Sequence, residues 1–208
     1  MKICIIFSYL IWALLITCNN SDWVLYRAGQ DYFPLKGGNY WKYDKGNVVE
    51  LVEVKGETIA YGNSVWHLLR NGASEYWTKN GKEVKQLIIR KINYGGTDYI
   101  LQQSWLLEYK LPFVLGNFWS DVFTDTVIIL GDTFRIKQTV FRKIWEVSDI
   151  TVPAGTFTQV YKIEFYETFS LNNYYEQQFG YEWFAPGVGL IKRVYADTTE
   201  SLIEYRSE

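Results

Sequence analysis

The sequence predicts an all-β protein built as a single antiparallel, strongly curved sheet or incomplete barrel of roughly ten strands. Three observations predict it. Short runs rich in β-branched and aromatic residues recur at near-regular spacing. Glycine-centred turn signals separate those runs. After the first eighteen residues, no segment shows the 3.6-residue apolar period of an amphipathic helix. Aromatic residues make up 18% of the chain, a share that suits pleated, half-buried surfaces. Long strands need twist and bulges to close over one core, so curvature is expected rather than a flat sandwich.

The elements follow in order. Val48 to Val54 is dense in β-branched residues and closes at Lys55-Gly56. Glu75 to Thr78 and Glu83 to Ile89 flank Asn80-Gly81, a strong hairpin signal. Ser104 to Lys110 fits either a helical turn or strand alternation through Trp105, Leu107 and Tyr109. Val127 to Leu130 and Phe134 to Lys137 flank a second tight turn at Gly131-Asp132. Apolar and charged residues alternate from Tyr161 to Phe165, so one face is buried and the other wet. Leu190 to Tyr195 and Leu202 to Tyr205 supply the last strands.

Two strand entries share a frame. Pro34, Gly38, Asn39 and Trp41 recur as Pro112, Gly116, Asn117 and Trp119. Proline lacks an amide donor and belongs before a strand, while glycine permits the positive φ of the turn. The tryptophan then drops into the core. A fainter echo sets Trp77 to Gly81 beside Trp183 to Gly187. Residues near 33–92 and 111–197 are therefore expected to form two related halves. The landmarks are 36 residues apart in the first and 64 in the second, which implies an insertion.

The amino-terminal region has a different character. Lys2 precedes an uncharged apolar run of 14 residues, Ile3 to Ile16, too short to span a membrane at the usual ~17–25 residues. Leu15-Ile16-Thr17-Cys18 resembles the lipobox of bacterial lipoproteins, although Thr17 stands where Gly, Ala or Ser is usual. That resemblance implies a signal peptide over 1–17, a lipidated Cys18 beginning a tether over 18–31, and an all-β domain over 32–208. It also implies anchoring in a bacterial membrane. Asn19, rather than an inner-membrane retention Asp, favours the outer membrane where one exists.

Removing residues 1–17 takes away Lys2 and no other charge, leaving 20 basic against 23 acidic residues. No basic stripe offers a nucleic-acid footprint. The two cysteines, Cys4 and Cys18, lie within and at the end of the signal, so no internal disulfide is expected. His67 has no metal-type spacing around it and reads as a hydrogen-bonded or core histidine. Asp121, Asp125 and Asp132, and Glu164, Glu167, Glu176 and Glu182, show no spacing that singles out an acid–base pair. Gly187 and Gly189 flank Val188 in a turn or bulge and open no phosphate-binding helix. No cofactor or metal is expected.

Pro153 and Gly155 in Val152-Pro-Ala-Gly-Thr-Phe157, then Gly187-Val-Gly-Leu190, join the repeated strand entries as the most specific motifs. Together they resemble a group of uncharacterised bacterial envelope lipoproteins, the TapB-like proteins or domains of unknown function. The resemblance covers most of the mature chain and implies an exported, β-rich, non-catalytic domain. The expected role is binding an apolar or amphiphilic envelope component on a concave sheet. A late aromatic row, Tyr174, Tyr175, Phe179, Tyr181 and Trp183, is the candidate contact surface. The alternatives are a structural protein docking an envelope partner and, behind it, a hydrolase using two carboxylates.

Overall fold

In the computed structural model, residues 30–208 are described. The expected signal peptide, Cys18 and nearly all of the tether lie outside the described residues. Residues 31–208 form one compact unit. Its strands are β1 (Tyr40–Asp44), β2 (Val49–Ala60), β3 (Asn63–Arg70), β4 (Ala73–Asn80), β5 (Glu83–Tyr94) and β6 (Thr97–Lys110). After them come β7 (Phe118–Ile129), β8 (Asp132–Val152), β9 (Gly155–Leu171), β10 (Tyr174–Ala185), β11 (Gly189–Tyr195) and β12 (Thr198–Arg206). No helix occurs among the described residues, and Ser104 to Lys110 belongs to β6.

All twelve strands join one antiparallel sheet in the order β6-β5-β4-β3-β2-β1-β12-β11-β10-β9-β8-β7. Every neighbour but one is a sequence neighbour; β1 against β12 is the exception. The two ends, β6 and β7, follow each other in the chain and meet as a seam, leaving a nearly closed barrel. Side chains bridge the seam. Leu107 N–H donates to Asp121 Oδ2 at 2.9 Å, and Trp119 Nε1–H donates to the Glu108 carbonyl at 2.9 Å.

Two-residue loops generate this meander. Ala60 pairs with Asn63, Arg70 with Ala73, and Ile129 with Asp132. The intervening Tyr61-Gly62, Asn71-Gly72 and Leu130-Gly131 all hold positive φ, the geometry whose twist matches paired strands. The second predicted turn is thus Leu130-Gly131, one residue earlier than Gly131-Asp132.

The repeated strand entry is also a repeated structure. Gly38 N–H donates to Val54 O, Val54 N–H to Asn39 O, and Asn39 N–H to Lys36 O, at 2.9, 2.8 and 3.0 Å. Gly116 to Ile144, Ile144 to Asn117, and Asn117 to Val114 repeat those bonds at 3.0, 2.9 and 3.0 Å. Both glycines have positive φ, 92° and 83°. Each copy opens a six-stranded meander, and the register slips just after Val54 in one and Ile144 in the other. The halves therefore run β1–β6 and β7–β12, further than residues 92 and 197. The fainter echo is out of frame: Leu68 and Ile163 pair with the equivalent Val54 and Ile144, and counting along the ladders matches Trp77 with Phe184, not Trp183. The extra length of the second half lies in the long β8–β9–β10 arms.

Along β8 the interior face reads Phe134, Ile136, Gln138, Val140, Arg142, Ile144, all buried and alternating with more exposed residues. Apolar positions build two cores. The larger contains Trp41, Tyr43, Tyr109, Phe113, Trp119 and Ile163, and takes up Tyr32, Phe33 and Leu35 from the segment before β1. The smaller, around Leu101, Ile129, Phe134, Ile136 and Phe169, ties the outer ends of the long strands.

Candidate functional site

Polar positions on the interior faces line a barrel cavity of about 410 Å³. Phe33, Leu35, Trp41, Trp77, Phe184 and Leu190 form its apolar wall. Much of the remaining lining is charged or polar. Lys45, bridging β1 and β2, contacts Glu50 of β2 at 2.7 Å and Glu200 of β12 at 2.8 Å. Arg70 of β3 pairs with the same Glu50 and with Glu75 of β4, the latter at 2.7 Å. Tyr195 O–H donates to Glu200 Oε1 at 2.9 Å. On the other side, Arg142 of β8 contacts Glu108 of β6 at 2.6 Å and Glu167 of β9 at 2.5 Å, with Glu182 of β10 at 3.8 Å. Arg193 of β11 pairs with Glu182, which also accepts a hydrogen bond from Tyr109 O–H at 3.0 Å. The lumen is therefore mixed, part apolar and part ion-paired. Interior-facing Arg and Glu on neighbouring strands pair across the ladders and so tolerate burial.

Local geometry places the key carboxylates. Val84 pairs with Tyr109 while Lys85 pairs with Leu107, so Glu108 is the extra residue of a bulge. The bulge re-aims its side chain toward Arg142. Burial drives the Glu108 carboxyl up to about 7 against the opposing pull of Arg142. Glu182 is fully buried, which alone would raise its carboxyl, but Arg193 and Arg142 overcome burial and hold it below the ordinary range. Burial likewise works against the charge of Glu50, and its bonds from Lys45 and Arg70 win. Three buried side-chain polar atoms, Glu200 Oε2, Arg142 Nε and Gln102 Oε1, have no hydrogen-bond partner among the described residues. Solvent still reaches the belt: the Lys45, Arg70 and Arg193 side chains keep 23%, 28% and 27% of their exposure.

The predicted aromatic row divides by strand alternation. Glu182 and Phe184 face inward on β10, so Tyr175, Phe179, Tyr181 and Trp183 face outward. They do not line the cavity. On the outside they form a ladder, with Phe179–Tyr181 and Tyr181–Trp183 ring centroids 5.5 and 6.2 Å apart. Lys162 lies 4.4 Å over Tyr181, and Lys192 lies 5.1 Å over Trp183. Tyr174 shares the inward parity but sits exposed at the hairpin tip.

The turn motifs are found as turns. Pro153 sits in the β8–β9 connection beside Gly155, which has φ 141°. Gly187 and Gly189 have φ 73° and 93° in the β10–β11 connection, whose Val188 carbonyl accepts the Trp41 indole N–H at 2.7 Å. Pro34 accepts the Asn39 side-chain amide through its carbonyl at 3.1 Å, and Pro112 follows a cis peptide bond. His67 hydrogen-bonds Ser74 at 3.0 Å and stacks on Tyr76. No group of metal-ligating residues occurs among the described residues. The lumen residues Glu50, Arg70, Arg142, Arg193 and Glu200 went unrecognised in the sequence. The one available signal was an isolated charge within an otherwise apolar inward alternation, as at Arg142.

No protein-family model matches the chain, and no curated protein does. Solved structures do. The fold is similar to that of a candidate lipoprotein from Parabacteroides distasonis, with a TM-score of 0.52 and 16% identity over 85% of this chain and 99% of that one. It is also similar to a candidate exported protein with a YmcC-like fold from Bacteroides fragilis, with a TM-score of 0.52 and 11% identity over 86% of this chain and all of that one (100%). At these identities the likeness establishes a shared fold.

Proposed function

We propose that this chain is an exported, lipid-anchored protein of the bacterial envelope whose barrel binds an amphiphilic envelope component without catalysing its conversion. The observation that carries the reading is the lumen cavity, with an aromatic and aliphatic wall on one side and an ion-paired belt on the other. Such a site solvates a polar end and shelters an apolar one. Export and anchoring rest on the Leu15-to-Cys18 signal, and the shared fold with candidate lipoprotein and exported proteins supports them.

The carboxylate-hydrolase reading is weaker. Glu108 with a raised pKa and Glu182 with a lowered one resemble an acid and a base in their titration. Glu182, however, is fully buried behind Arg193 and Tyr109 and does not line the cavity. Docking of a protein partner is a second reading, favoured by the outward aromatic ladder on β10.

Native mass spectrometry with lipid extraction tests the proposal on residues 19–208 purified without detergent, which retain the whole compact unit. A stoichiometric co-purifying amphiphile is the expected result. A mass without ligand, unchanged after incubation with envelope lipids, would favour partner docking instead.

A further inference from the structure

The lumen holds one cation that differs from the rest. Lys45, Arg70, Arg142 and Arg193 each contact at least one carboxylate. Arg90 of β5 also lines the cavity, yet no carboxylate lies within salt-bridge distance of it among the described residues. Its guanidinium lies 4.0 Å over the Phe169 ring, and Nε reaches Gln138 Oε1 only at 3.4 Å. Gln86, Gln138 and Gln178 line the same cavity, and Gln138 is 5% exposed. Burial disfavours the charge on Arg90, while Glu176 and Glu167 favour it from longer range. Glu167 is already engaged by Arg142.

This arrangement suits an anionic oxygen. Arginine presents its N–H donors in the plane of the guanidinium, and the cation–π contact with Phe169 uses none of them as a hydrogen-bond donor. The glutamines offer amide donors without adding charge. Elsewhere the belt has more carboxylates than cations, which disfavours an anion. We propose that Arg90, with Gln138 beside it, is the anion-recognition point of the lumen, taking the phosphate or carboxylate oxygens of the ligand's polar end. The inference rests on the reading of the lumen as an amphiphile site and assigns its headgroup class. Phe169 belongs to the smaller apolar core, so the anion point lies at the border between polar belt and apolar packing.

The test uses residues 19–208 and probes that separate headgroup from chain. Inorganic phosphate is titrated while the arginine Nε–Hε resonances are followed, with Arg90→Gln assigning the Arg90 signal. Octyl phosphate, octyl glucoside and octylammonium, each below its micelle concentration, are titrated calorimetrically into wild type and Arg90→Gln. Octyl phosphate is expected to bind wild type about tenfold more tightly than octyl glucoside, the difference vanishing in Arg90→Gln. Equal binding of the three octyl compounds to wild type, with an unmoved Arg90 resonance, would overturn the anion point and leave the amphiphile reading standing. A phosphate-shifted Arg90 resonance with no octyl compound bound would uphold the anion point as a site for small anions and overturn the amphiphile reading. Absence of binding by every probe overturns both. The wild-type comparison stands even if Arg90→Gln fails to fold.

Discussion

Replacing Glu108 by Gln isolates one buried proton. In the folded protein burial lifts the Glu108 carboxyl from its ordinary 4.5 to about 7, although Arg142 lies 2.6 Å away. The unfolded chain therefore releases this proton near pH 4.5, while the folded protein keeps it until about pH 7. Folding takes up a proton between those values, so stability falls as pH rises through that window and levels off above it. At about 1.4 kcal/mol per unit, the full span is worth about 3 kcal/mol. Glutamine reproduces the neutral acid's shape and cannot ionise. Glu50 and Glu182 have lowered carboxyls, so their contributions fade on acidification below about pH 4.5 and leave the window undisturbed. Urea unfolding of wild type and Glu108→Gln at intervals from pH 5 to 8 reads the difference. The two should nearly coincide at pH 5, and the variant should gain about 2–3 kcal/mol on wild type by pH 8. Parallel curves across that range would refute the buried, protonated Glu108.

Other substitutions test the packing and the placement of side chains. Gly180→Ala sets a Cβ against the Val194 carbonyl and the Phe165 ring, and should cost about 3 kcal/mol or more in urea unfolding. Gly38→Ala and Gly116→Ala probe equivalent turns at φ 92° and 83°; each should lose about 1–2 kcal/mol. Gly38→Ala should lose the more, since its Cβ would come within 3.0 Å of the Arg206 guanidinium. Tyr181→Ala removes an outward ring stacked with Lys162, so it should leave amphiphile affinity unchanged within about twofold by calorimetry. A tenfold loss there would place the ligand on the outer face.

The all-β class was legible because strand runs and turn residues are local properties, and so was the repeated Pro-x-x-x-Gly-Asn-x-Trp entry. Twelve strands rather than roughly ten result because Tyr61-Gly62 and Asn71-Gly72 are further two-residue turns, the second carrying the same Asn-Gly hairpin signal as Asn80-Gly81. The aromatic row was read as one surface because five aromatics cluster between 174 and 183. Strand alternation sends four of them outside, and only the register of β10 against β9 and β11 fixes which side that is.

By itself the sequence determined the curved antiparallel sheet and its paired entries, since each rests on neighbouring residues. Tertiary structure alone decided that Arg142, Glu108, Glu167 and Glu182, drawn from four strands, share one interior belt. It also decided that Arg90 lines the same cavity with no carboxylate within salt-bridge distance among the described residues. A residue's charge is written in the sequence, but its partners are set by ladder register and by a bulge such as the one at Glu108, where one residue of slip turns a side chain from solvent to lumen.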